Sequence, residues 1–372
     1  MSKRLLVSLV LSTAALMSLT ACGGGGGDVI KIGIAGPMTG DQSKMGMDFR
    51  NGVSLAVDEW NARGGVLGKK IEVIVEDDQH DPKQAVAIAN KLVNEGVVGV
   101  IGHFNSSCSI PASRIYLSAG IPQITPATTN PVFTEQGYWN VFRVCGRDDQ
   151  QGRAAADFVI NILKKTRIAI IHDKTTYGQG LADEFRKNLG GGAQVVYYGS
   201  IIQGDKDFKS VLTSVLSADP DVLYFGGIYP EGGLLIRQAR EIGLDSVFVS
   251  GDGCIDPKFI EIAGASAEGA YFTFSPDPAS IKSARGFLEI YHKKFGPHGP
   301  YSIYAYDAAN IMLQAIQDAG TTDGRKVADA IHKGTFDGAL GRVQFDAKGD
   351  NKIAHYVIWR VEGGRFVQVT DR

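Results

Sequence analysis

The sequence is poor in reactive side chains. It has four cysteines and seven histidines in 372 residues. No two cysteines stand as C-x-x-C and no two histidines as H-x-x-x-H, so the short-spaced zinc and thiol-redox signatures are missing. There is no G-x-S-x-G elbow to present a nucleophilic serine. Gly33, Gly36 and Gly40 follow an apolar run, but their spacing is not G-x-G-x-x-G and Pro37 lies among them. They read as a turn rather than a dinucleotide cradle. Lys and Arg total 38 against 40 Asp and Glu, with no basic stripe, which argues against nucleic acid as a partner. Past the first 22 residues no apolar run approaches the length needed to cross a bilayer. No motif recurs at a fixed period.

What is present begins with an N-terminal segment unlike the rest. Lys3 and Arg4 precede an apolar stretch, Leu5 to Leu19, which reads as a signal peptide over residues 1–21. It ends in Leu19-Thr20-Ala21-Cys22, similar to the bacterial lipobox, in which the cysteine thiol is diacylglycerylated. Cys22 is therefore the expected lipidation site. Residues 22–28 form the anchor and a tether whose core is the run Gly23 to Gly27. The remaining length suits two domains, and 44% hydrophobic with 21% charged residues is a globular composition. An exported chain can hold one disulfide among Cys108, Cys145 and Cys254, or none; spacing does not choose.

Along the chain, short apolar runs alternate with helical patterns. Val29 to Ala35 reads as a strand, Ser43 to Asn61 as a helix with Met45, Phe49, Val53 and Val57 on one side, and Lys70 to Glu76 as a strand. In the acidic loop Asp77 to Asp81, a metal site is the less favoured reading; Asp81 is expected to cap a helix opening at Pro82. Asp148 to Leu163 reads as a helix, and further βα units follow to Phe274. Two long helices come next, about Ser280 to Phe295 and Ser302 to Ala319. Short strands at Val343 to Phe345, Ala354 to Val361 and Phe366 to Val369 close the chain. This alternation predicts an α/β fold with doubly wound parallel sheets.

The stretch Val100 to Pro131 stands out. It carries two hydroxyl-rich turns, Asn105-Ser106-Ser107 and Thr125-Pro126-Ala127-Thr128-Thr129, each at the carboxyl end of a predicted strand. That edge of an open α/β sheet is where ligands bind. Ser106 falls near a helix N-terminus, where free N–H groups favour an anion. A small carboxylate is one reading; ordinary helix caps are the other. His103, three residues from Ser106, is expected to be a satisfied structural histidine rather than an activating base.

The motifs Ile32-Gly33-Ile34-Ala35-Gly36-Pro37, Asp81-Pro82-Lys83-Gln84-Ala85, Ile101-Gly102-His103, Ser106-Ser107, Pro111-Ala112-Ser113, Ile124-Thr125-Pro126-Ala127, Ile170-Ile171-His172-Asp173-Lys174, Tyr177-Gly178, Gly226-Gly227, Arg237-Gln238-Ala239-Arg240 and Lys348-Gly349-Asp350 occur in an order and spacing that resembles the leucine/isoleucine/valine-binding family of solute-binding proteins from bacterial ABC importers. The resemblance spans almost the whole chain after Cys22. It implies a type I periplasmic-binding-protein fold, two doubly wound parallel-sheet lobes joined by a three-strand hinge. The crossovers are expected near Cys145–Asp148, Phe274–Asp277 and Asp350–Ile353. One lobe then takes residues 29–146 plus 277–350, and the other 147–275 plus 353–372.

The resemblance further implies that Ser106 and the Thr129 N–H hold a ligand's α-carboxylate. The Ala127 carbonyl, the Thr129 hydroxyl and Asp252 hold its ammonium, and Tyr177 covers it. Asp252 falls where close relatives carry glutamate. Met45, Phe104, Ile228 and Tyr301 are expected around the ligand side chain. The implied role is capture of an apolar, branched-chain L-amino acid and its delivery to ABC permease subunits, with no catalysis, cofactor or metal. The expected protein is a monomer, held to a bacterial membrane only by lipid and facing the periplasm or the cell exterior. A sensing module for another amino acid or small carboxylate, acting with a separate receptor, is the alternative.

Overall fold

The computed structural model describes residues 29–369. The signal segment, Cys22 and the glycine tether lie outside the described residues.

Two separate sheets organise the chain. The first holds β1 (Ile30–Gly36), β2 (Ile71–Asp77), β3 (Gly99–Gly102), β4 (Gln123–Thr125) and β5 (Val141–Arg143), all parallel, in the order β2-β1-β3-β4-β5. The second starts with β6 (Arg167–His172), β7 (Gln194–Ser200), β8 (Val222–Gly226), β9 (Val247–Ser250) and β10 (Tyr271–Phe274). After a hairpin of β11 (Phe336–Gly338) and β12 (Gly341–Val343), it is completed by antiparallel β13 (Val357–Glu362) and β14 (Arg365–Gln368). Its order is β14-β13-β10-β9-β8-β6-β7. Strands such as β8, buried at every residue, have helices on both faces and so read as unbroken apolar runs.

The chain passes between the sheets three times: after β5, after β10, and between Asp350 and β13. Elements around the five-stranded sheet are called the first lobe here, and those around the seven-stranded sheet the second. The helices Ala284–Phe295 and Ser302–Ala319 return to the first lobe, where the latter packs along the helix Ser43–Ala62. Gly52 permits that packing: a Cβ there would stand 2.3 Å from the Ser302 carbonyl oxygen. Asp81 caps the helix Pro82–Asn94, accepting from the Lys83 and Gln84 amides at 2.7 and 2.9 Å.

Three local expectations change. The helix opening at Asp148 stays α only to Asp157 and finishes as a π turn, Phe158–Ile162. The strand expected from Ala354 begins at Val357. Between Ala319 and Val343, where no element was expected, there is a helix Gly324–Lys333 and the β11–β12 hairpin. The reason is tertiary. Buried Asp307 accepts from the Ala339 and Leu340 amides at the hairpin tip, at 2.9 and 2.7 Å, and no local pattern announces that contact. Cys108, Cys145 and Cys254 are all buried and free.

Candidate ligand-binding site

The site lies where the carboxyl edges of both sheets face each other. In the first lobe β3 ends at Gly102, and the helix Ser106–Ser118 starts with Ser106 in its first turn. Its leading N–H groups therefore point toward the interlobe space. The following turn is folded around Thr125, whose hydroxyl donates to the His103 carbonyl at 2.8 Å and accepts from the Ala127 and Thr128 amides at 3.2 and 2.9 Å. The Asn130 amide donates to Ser106 Oγ at 3.4 Å, joining the two hydroxyl-rich turns.

Arg143, wholly buried at the end of β5, fastens this turn from behind. Its Nη1 donates to the Thr128 carbonyl at 2.6 Å and its Nη2 to the Asn130 carbonyl at 3.0 Å. Nε pairs with Asp350 at 2.7 Å, and Arg147 reaches the other Asp350 oxygen at 2.6 Å. One carboxylate at the third chain crossing thus ties down the first crossing and, through Arg143, the turn. Sequence reading missed Arg143, because its partners lie up to 207 residues away.

In the second lobe, Thr175 caps the helix Thr176–Asn188, accepting from the Gly178 amide at 2.9 Å, and so presents Tyr177 in the first turn. Asp252 lies in a short 3-10 turn just after β9. Tyr177 donates to Asp252 Oδ1 at 2.7 Å and accepts from the Gly253 amide at 3.0 Å. From the first lobe, Tyr301 donates to Asp252 Oδ2 at 2.8 Å. Burial pushes the Asp252 carboxyl up from its ordinary value. Burial, then the nearby Asp252 charge, holds both tyrosine hydroxyls far above theirs.

Phe104, Ser106, Ala127, Tyr177, Ile228, Asp252 and Tyr301 surround one common void, together with Asn105 and Gly253. It is small, about 10 Å³, the space for roughly one water molecule. The lobes are shut: Asn130 Nδ2 donates to the Thr176 carbonyl at 2.8 Å, and Lys206 pairs with Asp41 at 2.9 Å. Two of the expected residues do not line the void. Met45 is buried in the core on the Phe49–Val53 face of its helix, where i, i+4 spacing sends it inward. Thr129 is buried and does not line the void; among the described residues its hydroxyl has no partner at full hydrogen-bond geometry. Tyr301, expected as part of an apolar wall, also acts as a donor; its ring meets Phe104 edge-on at 5.2 Å.

His103 is taken up structurally, with Nδ1 2.7 Å from Asp78 and Nε2 3.1 Å from the Tyr116 hydroxyl, all three residues buried. It has no contact with Ser106 that would activate a nucleophile. The arrangement offers hydrogen-bond donors on one wall, a buried carboxylate on the other and aromatic rings between them, which suits a small molecule carrying both charges.

The chain is similar to known proteins over most of its length. A family model described as periplasmic binding protein matches residues 29–365. The Leu/Ile/Val-binding protein homolog 1 of Brucella abortus (strain 2308) is 42% identical over 357 residues, covering 95% of this chain and 96% of that protein. Two solved structures share the fold. One is a leucine-binding protein from Thermotoga maritima (TM-score 0.86, 33% identity, 92% of this chain and 98% of that one). The other is a branched-chain amino acid transporter substrate-binding protein from Streptococcus pneumoniae in complex with isoleucine (TM-score 0.84, 28% identity, 92% and 100%).

Proposed function

This chain belongs to the periplasmic binding protein family, whose members bind solutes rather than transform them, and from that premise we propose that it captures an apolar L-amino acid, a branched-chain one foremost, for an ABC importer. One observation carries the reading. Ser106, at a helix N-terminus of the first lobe, and Asp252, a buried carboxylate of the second, border the same void. A zwitterion needs an anion site and a cation site a few ångströms apart, each with its buried charge paired. Because the two sites sit on different lobes, the ligand contacts both only when the cleft is shut, and its binding favours closure. Ile228 and Phe104 supply apolar wall for its side chain. A leucine-sized guest needs more than the present void, so the liganded lobes stand slightly farther apart than these.

On this reading, residues 29–146 plus 277–350 move against 147–275 plus 353–372. Ser106 and the Thr129 amide take the carboxylate, while the Ala127 carbonyl, the Thr129 hydroxyl and Asp252 take the ammonium, beneath Tyr177. Among the described residues no helix is long and apolar enough to cross a membrane, and Cys22 is proposed to carry the lipid that holds the protein outside the cytoplasm. Calorimetric titration of the protein with the common L-amino acids tests the reading. Leucine, isoleucine or valine should bind most tightly, and Asp252→Ala should lose the binding. Absence of heat with every amino acid would refute it.

A further inference from the structure

Two imidazoles meet on the first lobe, apart from the residues around the void. His292 is in the last turn of the helix Ala284–Phe295, and His298 is in the loop that follows it. His292 Nε2 stands 2.8 Å from His298 Nδ1, with the ring planes 19° apart. His292 is exposed and His298 half-buried, so solvent reaches the pair. Lys293 to Pro297 lie between them, a spacing outside the short metal-ligand signatures, and only the fold brings the rings together. The backbone there is fixed by other contacts. Gly296 takes a φ of +81°, which turns the chain at the helix end, and its amide donates to the His292 carbonyl at 3.1 Å. Pro297 and Pro300 restrict the loop on either side of His298. The Gly299 amide donates to Ser302 Oγ at 3.1 Å, and Ser302 Oγ donates to the hydroxyl of Tyr291, the residue before His292, at 3.0 Å.

We propose that His292 and His298 form a two-histidine site for a divalent transition-metal ion of the imidazole-binding class: nickel, copper or zinc. Two nitrogens on one ion, each about 2.0–2.1 Å from it, stand roughly 3.0–3.4 Å apart at square or tetrahedral angles. The pair at 2.8 Å needs only a small opening, which rotation of the exposed His292 side chain supplies. Imidazole binds a metal through a neutral nitrogen. Burial, then the neighbouring His292 charge, holds the His298 imidazole below its ordinary value and so favours the neutral form. The other charges that act on His298 are Asp277 and Lys44, and Lys44 is held by Asp48 at 2.7 Å. The carboxyl end of the helix dipole also favours a cation at this place. Among the described residues no group of three His, Cys, Asp or Glu is placed to hold a metal, so water fills the remaining positions and the ion is exchangeable. Calcium and magnesium, which prefer oxygen ligands, are poor occupants. The bound ion cross-links the end of one helix to the loop that leads into Tyr301.

The test is calorimetric titration of the tag-free chain with nickel chloride, with calcium chloride as the hard-cation control. Wild type should bind one nickel ion with a Kd on the order of 10 μM and show no heat with calcium. His292→Gln and His298→Gln should each weaken nickel binding at least about tenfold, since one imidazole loses the gain from a tethered second. His355→Gln, at an exposed histidine elsewhere, should leave it unchanged. Nickel at a hundredfold excess over Kd should raise the wild-type thermal midpoint by about 2–4 °C and leave those of the two variants where they were. Metal-free melts matching wild type would show that the variants lose the ion and not the fold; His292, being exposed, is the safer of the two. Nickel binding by His292→Gln within twofold of wild type, or no binding by wild type below about 1 mM, would overturn the proposal.

Discussion

Tyr301 and Asp252 meet at 2.8 Å across the cleft, the hydroxyl from the first lobe donating to a carboxylate of the second. Tyr177, from the same lobe as Asp252, takes the other oxygen at 2.7 Å. Asp252 is thus hydrogen-bonded both within its own lobe and across the shut cleft. Tyr301→Phe keeps the ring that packs on Phe104 and removes only the cross-lobe bond. A hydrogen bond to a charged group contributes about 1.5–3 kcal/mol, so leucine affinity should fall roughly tenfold or more. Titration of the variant checks this, and unchanged affinity would separate the contact from the liganded closed state.

Arg143 should matter to both stability and binding. Arg143→Met leaves Asp350 without its Nε partner and the Thr128 and Asn130 carbonyls without their donors. Breaking a buried pair in this way costs about 3–5 kcal/mol. Denaturant unfolding should show the loss. Leucine binding should weaken even under conditions where the variant is folded, since the turn that frames Ser106 is no longer held.

A buried carboxyl outside the cleft gives a pH signature. Burial raises the Asp173 carboxyl to about 7, although Thr175 donates to Oδ1 through its amide and hydroxyl at 2.9 and 2.6 Å. The folded state therefore holds this proton more tightly than the unfolded chain. The stability it contributes is complete below the ordinary aspartate range and is lost as pH climbs through about 7. Asp173→Asn keeps an Oδ1 acceptor and cannot ionise. Its thermal midpoint should fall less than that of wild type between about pH 4.5 and pH 7.5. Parallel profiles would contradict this assignment.

Gly52 offers a packing test away from the cleft. An alanine methyl would meet the Ser302 carbonyl oxygen at 2.3 Å and the Ala305 Cβ at 3.0 Å. Better helix propensity, worth up to about 1 kcal/mol, opposes overpacking that costs about 1–3 kcal/mol. Because the clash is with backbone, Gly52→Ala should lower the melting temperature, as read by circular dichroism. An increase would mean that the two helices can slide apart at little cost.

What could be read from the sequence was what is local. Period and punctuation place the strands and most helices, and Asp81 before Pro82 is a cap by chemistry alone. Ser106 was placed at a helix start by the same logic, and the residues expected to meet a ligand fall largely around one void. What was illegible depends on distant partners. Arg143 is tied to Asp350, Asp307 straps a hairpin 32 residues on, and Tyr301 reaches Asp252 from the other lobe. Asp148 reads as an ordinary helix-start acid; only folding reveals that it is wholly buried.

The three free cysteines turn into instruments. Cys108 is in the helix that Ser106 begins, Cys145 lies 3.5 Å from the Thr128 carbonyl at the first crossing, and Cys254 sits two residues past Asp252. Burial drives all three thiols far up, so in the shut molecule they are scarcely thiolate and scarcely reactive. Each becomes available to a thiol reagent only when its own part of the molecule breathes. The rate at which each is alkylated is therefore a clock on a different moving part, already installed in the native chain. A ligand that keeps the cleft shut should slow the clocks at Cys145 and Cys254.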